Sequence, residues 1–339
     1  MRITRNVRRL EAYTPGEQPK SRSVVKLNTN ENPYPPSPAC AAVLKAFDPD
    51  RLRRYPDPVF AELRAALADL NGTTPEHIFV GNGSDEVLSV AAKTFVEDDE
   101  SIGSLDPSYS LYKTLAAIRG VRWTSADRLS SKTSLFLWTN PNAPTGEFAE
   151  PGEIARFAKG FRGVVIVDEA YADFARANCM ALATAPSNHN VVVMRTFSKS
   201  YSLAGLRVGY CVGPEDLIAA MYKVKDSYNV DAIAQDVALA AFNDRAYHRR
   251  TVAAVVRTRN AFAQELLRRG WDVEPSDSNF LFAKPPARAG AADVFDALRR
   301  RRIFVRYFPG PLTGDRLRIT IGTDAQMETL LSALDRITG

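Results

Sequence analysis

Short apolar runs rich in β-branched residues recur along the chain, and each ends in a cluster of small polar side chains. Residues 164–167 (VVIV) stop at Asp168 and Glu169, residues 191–193 (VVV) run on to Thr196, Ser198, Lys199 and Ser200, and residues 134–139 lead into an Asn/Pro/Gly turn. Runs of this length and composition predict strands buried on both faces. Between them the apolar spacing becomes helical: Val87, Leu88, Ala91, Ala92 and Phe95 share one face of a helix opening near Ser84, and Val59, Leu63, Ala66, Leu67 and Leu70 mark another within 41–71. Strands alternating with helices, with polar residues at the strand ends, predict an open, mostly parallel α/β sheet that collects a site along one edge. After Gly213 the pattern changes to long helical stretches at 214–224 and 232–267. Strand-like segments at 278–284, 303–308 and 317–322 follow, which predicts a smaller α+β unit.

The first 35 residues are polar and proline-rich and end in LNTNENPYPPSP, a segment excluded from a regular helix or a central strand. It reads as an extended arm that packs on the body of the protein or on a partner subunit. The expected division is an arm over 1–40, a large unit over 41–235 and a small unit over 236–339.

With 339 residues, 45% of them hydrophobic, the chain can fill two cores. A net charge of +5 with dispersed basic residues gives nucleic acid no obvious footprint. The one dense basic run, Arg299 to Arg302, follows a helical stretch and reads as a solvated helix end. Three widely spaced cysteines suit a reduced, cytoplasmic protein, no run is apolar enough to span a bilayer, and three histidines without a neighbouring nucleophile give a hydrolytic triad or a metal site little support.

The densest chemistry lies in residues 191–210 (VVVMRTFSKSYSLAGLRVGY). A lysine at the mouth of a buried strand, flanked by hydroxyls and followed eight positions later by Arg207, suits an amine that attacks a carbonyl beside an anion site. The turn Gly81-Asn82-Gly83-Ser84 opens a helix, so it is either a cradle for a single phosphate or ordinary capping by Ser84. Glu86 stands where a dinucleotide fingerprint would have Gly or Ala.

Four turns, NPNAPTG from Asn140, DEAY from Asp168, SKS from Ser198 and LRITIG from Leu317, resemble in order and spacing the pyridoxal-phosphate aminotransferases of the aspartate aminotransferase superfamily. Nearest is the histidinol-phosphate aminotransferase family, matched also by YTPGEQP and LNTNENPYP. The resemblance implies the fold type I architecture, with a seven-stranded, mostly parallel sheet between helices, a smaller α+β unit, the arm and a homodimer. It implies transfer of an amino group from L-histidinol phosphate to 2-oxoglutarate, in histidine biosynthesis. An aromatic aminotransferase and a threonine-phosphate decarboxylase are the alternatives within the superfamily, and a non-catalytic cofactor-sensing module is the alternative outside it.

By the same resemblance Lys199 is the Schiff-base lysine and proton carrier, and Asp168 the partner of the pyridine nitrogen. Tyr171 bonds the cofactor's phenolic oxygen, and Tyr109 lies over the ring. Gly83, Ser84, Asp85, Ser198 and Arg207 surround the phosphate, with Tyr55 reaching it from the other subunit. Arg318 meets a substrate carboxylate and Arg306 the substrate phosphate, unless Arg306 is a plain strand-edge arginine. Tyr13 and Asn30 line the pocket. The sequence departs from the superfamily pattern at Ala143, where an asparagine normally precedes PTG. Asn142 is the expected substitute.

Overall fold

A computed structural model describes residues 3–4, 6–10, 16–19 and 23–338 of the chain. Tyr13 lies outside the described residues.

The branched apolar runs form a seven-stranded sheet of β2 (Ile78–Gly81), β3 (Ser101–Ser104), β4 (Arg122–Ser125), β5 (Thr133–Thr139), β6 (Val164–Asp168), β7 (Val191–Thr196) and β8 (Gly209–Val212), in the order β2-β8-β7-β6-β5-β3-β4. The five strands from β7 to β4 are parallel, and β8 runs antiparallel to both of its neighbours, β7 and β2. Continuous burial along β6 and β7 explains why these strands read as unbroken apolar runs: helices cover both faces of the sheet. Strand β4, with its exposed and half-buried residues, sits at the sheet edge and has no such run. The carboxyl ends of β2, β3, β5, β6 and β7 lie along one edge, so the loops at 81–84, 105–110, 140–146, 169–171 and 197–199 converge there.

The second core is built on a four-stranded antiparallel sheet, β12-β13-β10-β9, formed by β9 (Asp272–Val273), β10 (Phe280–Lys284), β12 (Arg306–Tyr307) and β13 (Leu317–Thr320). Helices Arg245–Arg268, Ala291–Arg300 and Asp324–Thr338 contribute Val255, Phe262, Val294, Leu298, Leu330 and Leu334 to it. The segment expected as one strand at 303–308 is split. β11 (Ile303–Phe304) pairs in parallel with β1 (Val25–Lys26) of the arm, whereas β12 joins the four-stranded sheet. The arm is thus stitched to the body by a two-residue ladder.

The helical stretch at 232–267 is also two elements, Ala232–Asn243 and Arg245–Arg268. Asp244 caps the second through Oδ1, which accepts from the Tyr247 N–H at 3.1 Å, and its Oδ2 accepts from Ser37. The first helix packs Val237, Ala238, Ala241 and Phe242 against the large core, so a boundary between 235 and 236 would cut an element whose buried face belongs wholly to that core. The chain turns at Asp244, between the two helices. Among the described residues no helix is long and apolar enough to cross a membrane.

Candidate active site

The converging loops enclose a cleft of about 490 Å³ lined by Asn30, Ser84, Asp85, Tyr109, Asp168, Tyr171, Ser198, Lys199, Arg207, Arg306 and Arg318. Most of the residues singled out in the sequence therefore meet in one cavity, although they come from eight segments.

Its floor is the end of β6. Asp168 is 3% exposed, and its Oδ2 accepts from the Tyr112 hydroxyl at 2.8 Å while Oδ1 accepts from the Ala170 N–H at 3.1 Å. Burial pushes the carboxyl up from its ordinary 3.8 to about 6, against the hydrogen bonds from Tyr112 and Ala170. Lys199, just past the end of β7, points its Nζ to the carbonyl of Thr29 at 3.3 Å and lies 5.7 Å from the centre of the Tyr171 ring. The loop that carries it is braced from below. Ser200 Oγ donates to Asp173 Oδ2 at 2.5 Å, Arg195 reaches Asp173 Oδ1 at 3.1 Å, and two nitrogens of Arg195 grip Glu169 Oε2 at 2.8 and 3.0 Å. Burial raises the affinity of Glu169 for a proton, and the Arg195 guanidinium opposes that rise.

One wall is a cradle at the start of helix Ser84–Thr94. Gly83 holds φ at +82°, and a Cβ there would stand 2.6 Å from the Arg207 guanidinium. Gly209 passes so close beneath that its Cβ would meet the Ser84 backbone nitrogen at 2.6 Å. Only glycine fits either place. Arg207 donates to Ser198 Oγ at 3.4 Å and to Asp85 Oδ2 at 3.2 Å, and the Tyr109 hydroxyl donates to Asp85 Oδ1 at 3.3 Å. No side chain caps this helix among the described residues, so the capping expected of Ser84 is not what the turn does. Its first N–H groups and the Arg207 guanidinium border the same cavity.

At the other end the four-stranded sheet contributes two arginines. Arg306 and Arg318 face each other directly in the β12–β13 register, and both guanidinium carbons lie 5.1 Å from the centre of the Phe308 ring. Arg318 also donates to the Asn28 carbonyl at 3.1 Å. Two cations side by side on adjacent strands repel each other, and an anion set between them reverses that cost. Asn30 ties the two halves of the cleft together. Held at φ +55°, its Nδ2 donates to the Tyr171 hydroxyl at 2.9 Å, while its Oδ1 and N–H both bond Thr320 Oγ1 at 3.0 Å.

One expected residue turns away from the cleft, and Tyr55, expected to act from the other subunit, lies outside it. Asn142 does not face the cleft; Ala143 and Pro144 do. The Asn142 amide is fully engaged behind the wall, donating to the Pro107 carbonyl and Thr145 Oγ1 at 3.0 Å each and accepting from Ser108 Oγ at 3.0 Å. It is therefore no substitute for the missing asparagine, and Asn30 is the amide that meets Tyr171. Tyr55 is 79% exposed, stacked on Tyr228 with ring centres 4.3 Å apart, and lines a separate surface groove with Arg51, Arg54 and Asp57.

Residues 22–334 match the aminotransferase class I and II family. The chain belongs to that family. Over 97% of its length it is 41% identical to histidinol-phosphate aminotransferase 1 of Nostoc sp., covering 96% of that protein. It is 44% identical over 98% of its length to the histidinol-phosphate aminotransferase of Syntrophotalea carbinolica, of which it covers 98%. The fold superimposes on the crystal structure of the Sinorhizobium meliloti histidinol-phosphate aminotransferase in complex with pyridoxal-5'-phosphate, with a TM-score of 0.88 at 24% identity over 99% of this chain and 97% of that one. The chain is thus a transaminase of fold type I, and pyridoxal phosphate is the family's cofactor.

The residues present fit that cofactor. A helix start too close to Gly209 and Arg207 for any side chain at 83 or 209 suits a phosphate, a buried carboxylate suits a protonated ring nitrogen, and the Lys199 amine lines the same cavity.

Sequence reasoning missed Tyr112, Thr139, Phe308 and the Glu169–Arg195–Asp173 brace. A signal existed for Thr139: it ends its strand directly opposite Asp168. None existed for Phe308, whose position depends on how β12 leaves its sheet.

Proposed function

We propose that the chain transfers the amino group of L-histidinol phosphate to 2-oxoglutarate, a step of histidine biosynthesis. The observation that carries this reading is the facing pair Arg306 and Arg318 of the four-stranded sheet, which line the same cleft as Ser84 and Arg207 of the cradle, supported by relatives of that name at 41% and 44% identity. One end takes the cofactor's phosphate, and the other takes the anions of the two substrates in turn.

When bound, pyridoxal phosphate supplies the carbonyl that accepts the amino group and the ring that draws electrons from the substrate's Cα. The protein's own residues do the rest. Asp168, ionised against a ring N–H, holds that nitrogen protonated. The Lys199 amine would take the Cα proton and return it to the cofactor's C4′, across the nitrogen that is being transferred. Tyr171, already held by Asn30, donates to the phenolic oxygen, and Tyr109 stacks on the ring. Ser84, Asp85 through its N–H, Ser198 and Arg207 hold the phosphate. Arg306 binds the phosphate of the amino donor and Arg318 the carboxylate of the acceptor.

The exposed Tyr55, with Leu44, Leu52 and Val59 also exposed nearby in sequence, supports a homodimer in which Tyr55 completes the partner's phosphate site. The three buried free cysteines, Cys40, Cys179 and Cys211, support a reducing, cytoplasmic setting. We divide the chain into arm, large unit and small unit with the second boundary at Asp244.

The test is turnover by the purified holoenzyme with histidinol phosphate, phenylalanine or threonine phosphate as donor. Consumption of 2-oxoglutarate is expected with histidinol phosphate. A preference for phenylalanine, or release of carbon dioxide from threonine phosphate without use of the oxo acid, would replace this reading by one of its alternatives. For the dimer, a mixture of Tyr55→Phe and Lys199→Ala variants that regains no activity above its parts would argue against shared sites.

A further inference from the structure

Beside Asp168 runs a row of hydroxyls that the reaction as proposed does not use; Thr139 and Ser108 border the cleft, and Tyr112 lies behind them. Tyr112, from helix Leu111–Arg119, is 0% exposed, and its hydroxyl lies 2.8 Å from Asp168 Oδ2 and 2.6 Å from Thr139 Oγ1. Thr139 Oγ1 is 3.1 Å from Ser108 Oγ, which is 3.0 Å from Asn142 Oδ1. Both hydrogens of the Asn142 amide are already given to Pro107 and Thr145. Asp168, Tyr112, Thr139, Ser108 and Asn142 therefore form one line of four contacts that closes on a carbonyl.

Counting hydrogens decides what the line can do. Three hydroxyls bring three hydrogens to four contacts. When Asp168 is ionised, Tyr112 donates to the carboxylate, Thr139 to Tyr112 and Ser108 to the Asn142 carbonyl, and the longest contact, Thr139 to Ser108, is left without a hydrogen. When Asp168 carries a proton, that hydrogen is the fourth. The order then runs from Asp168 to Tyr112, Thr139, Ser108 and Asn142, and every contact is satisfied. Passing from one order to the other needs only rotation of the Tyr112 and Thr139 hydroxyls, and the single proton lost leaves Asp168 for solvent.

We propose that Tyr112 is a positioning residue at the head of a hydroxyl row whose first two members reverse with the charge of Asp168, Tyr112 and Thr139 pointing at the carboxylate when Asp168 is ionised to face the ring nitrogen. The proposal rests on the reading of Asp168 as the ring-nitrogen partner. Tyr112 is out of reach of the cleft and of any substrate, so its effect passes through Asp168. Burial is the first influence on that carboxyl. The other titratable groups bearing on it are Tyr112, Asp85 from helix Ser84–Thr94, which favours its protonation, and Lys199, which opposes it; Tyr109 acts on Tyr112 in turn.

The test uses the full chain freed of cofactor. Thermal unfolding from pH 4 to 8 is measured for the wild type, Tyr112→Phe and Thr139→Val, each with and without Asp168→Asn, and the difference within each pair gives the midpoint of the Asp168 titration. Tyr112→Phe removes the donor to the carboxylate and moves the midpoint up by about one pH unit, the worth of a hydrogen bond to a charged group. Thr139→Val moves it down, because the Tyr112 hydrogen then has no acceptor but Asp168, and a carboxylate accepts it more strongly than a neutral carboxyl does. Shifts of opposite sign support the row. A destabilisation by both variants that is equal at every pH, or shifts of the same sign, overturns it. Should Tyr112→Phe fail to fold, Thr139→Val decides alone: a downward shift supports the proposal, and an upward or absent shift overturns it. Cofactor affinity separates the two levels. If Asp168→Asn binds pyridoxal phosphate as tightly as the wild type, the reading of Asp168 falls and the row's role falls with it. If that variant loses affinity and the midpoints do not move, the row alone is wrong.

Discussion

The two ends of the cleft are built in different ways. At the cofactor end the side chains stand at the carboxyl edges of parallel strands, and buried partners fix them: Asp168 by Tyr112 and Ala170, and the Lys199 loop by Asp173, Arg195 and Glu169. At the substrate end Arg306 and Arg318 stand on a smaller antiparallel sheet, and what holds them includes the faces of Phe308 and Phe280 and the carbonyl of Asn28. A group that stays bound through every turnover is met by dipoles set in advance. Anions that come and go are met by cations whose ring-face contacts persist while the N–H groups turn to the ligand. Asn30 bonds both halves.

Breaking the fixed end has the largest effect. Lys199→Ala removes the amine that both holds the cofactor and carries the proton, and it lowers the rate of either half-reaction by about a thousandfold or more, as read by stopped-flow absorbance. Next comes Asp168→Asn in the cofactor-free protein. The folded carboxyl titrates at about 6 against an ordinary 3.8, so its contribution to stability is complete below about 3.8 and is lost as pH rises through about 6. Relative to Asp168→Asn, the wild type loses about 2 kcal/mol between pH 4 and 7, measurable by denaturant unfolding. Cofactor cancels that loss by giving the carboxylate a partner.

At the exchanging end the effects are smaller and selective. Arg306→Ala lowers kcat/KM for histidinol phosphate by about 10- to 100-fold and leaves the glutamate half-reaction within about twofold, the cost of one charged hydrogen-bonding group. Equal losses for both substrates would remove the division of labour between the two arginines. The smallest effect belongs to Asn142→Ala, which lowers stability by about 1–3 kcal/mol through orphaned partners at Pro107 and Ser108 and leaves the absorbance of bound cofactor unchanged.

The same contrast explains what the sequence disclosed. The cofactor end was legible because parallel strands advertise themselves as branched apolar runs and drop their functional residues at the ends, as at Asp168 and Lys199. The Gly83 turn was legible as a phosphate cradle or a cap, and the close approach of Gly209 and Arg207 supports the cradle. Asn142 misled because its neighbour Ala143 occupies a motif position, and linear adjacency says nothing about which side chain faces the cleft. The split of 303–308 between two sheets was hidden, since a six-residue apolar run does not reveal that Val305, 3% exposed, is where the pairing partner changes.

The most direct test is borohydride reduction of the yellow holoenzyme followed by peptide mass spectrometry. The account predicts one pyridoxyl phosphate adduct, on the peptide that carries Lys199. An adduct on any other lysine, or none in protein that has taken up the cofactor, would contradict it.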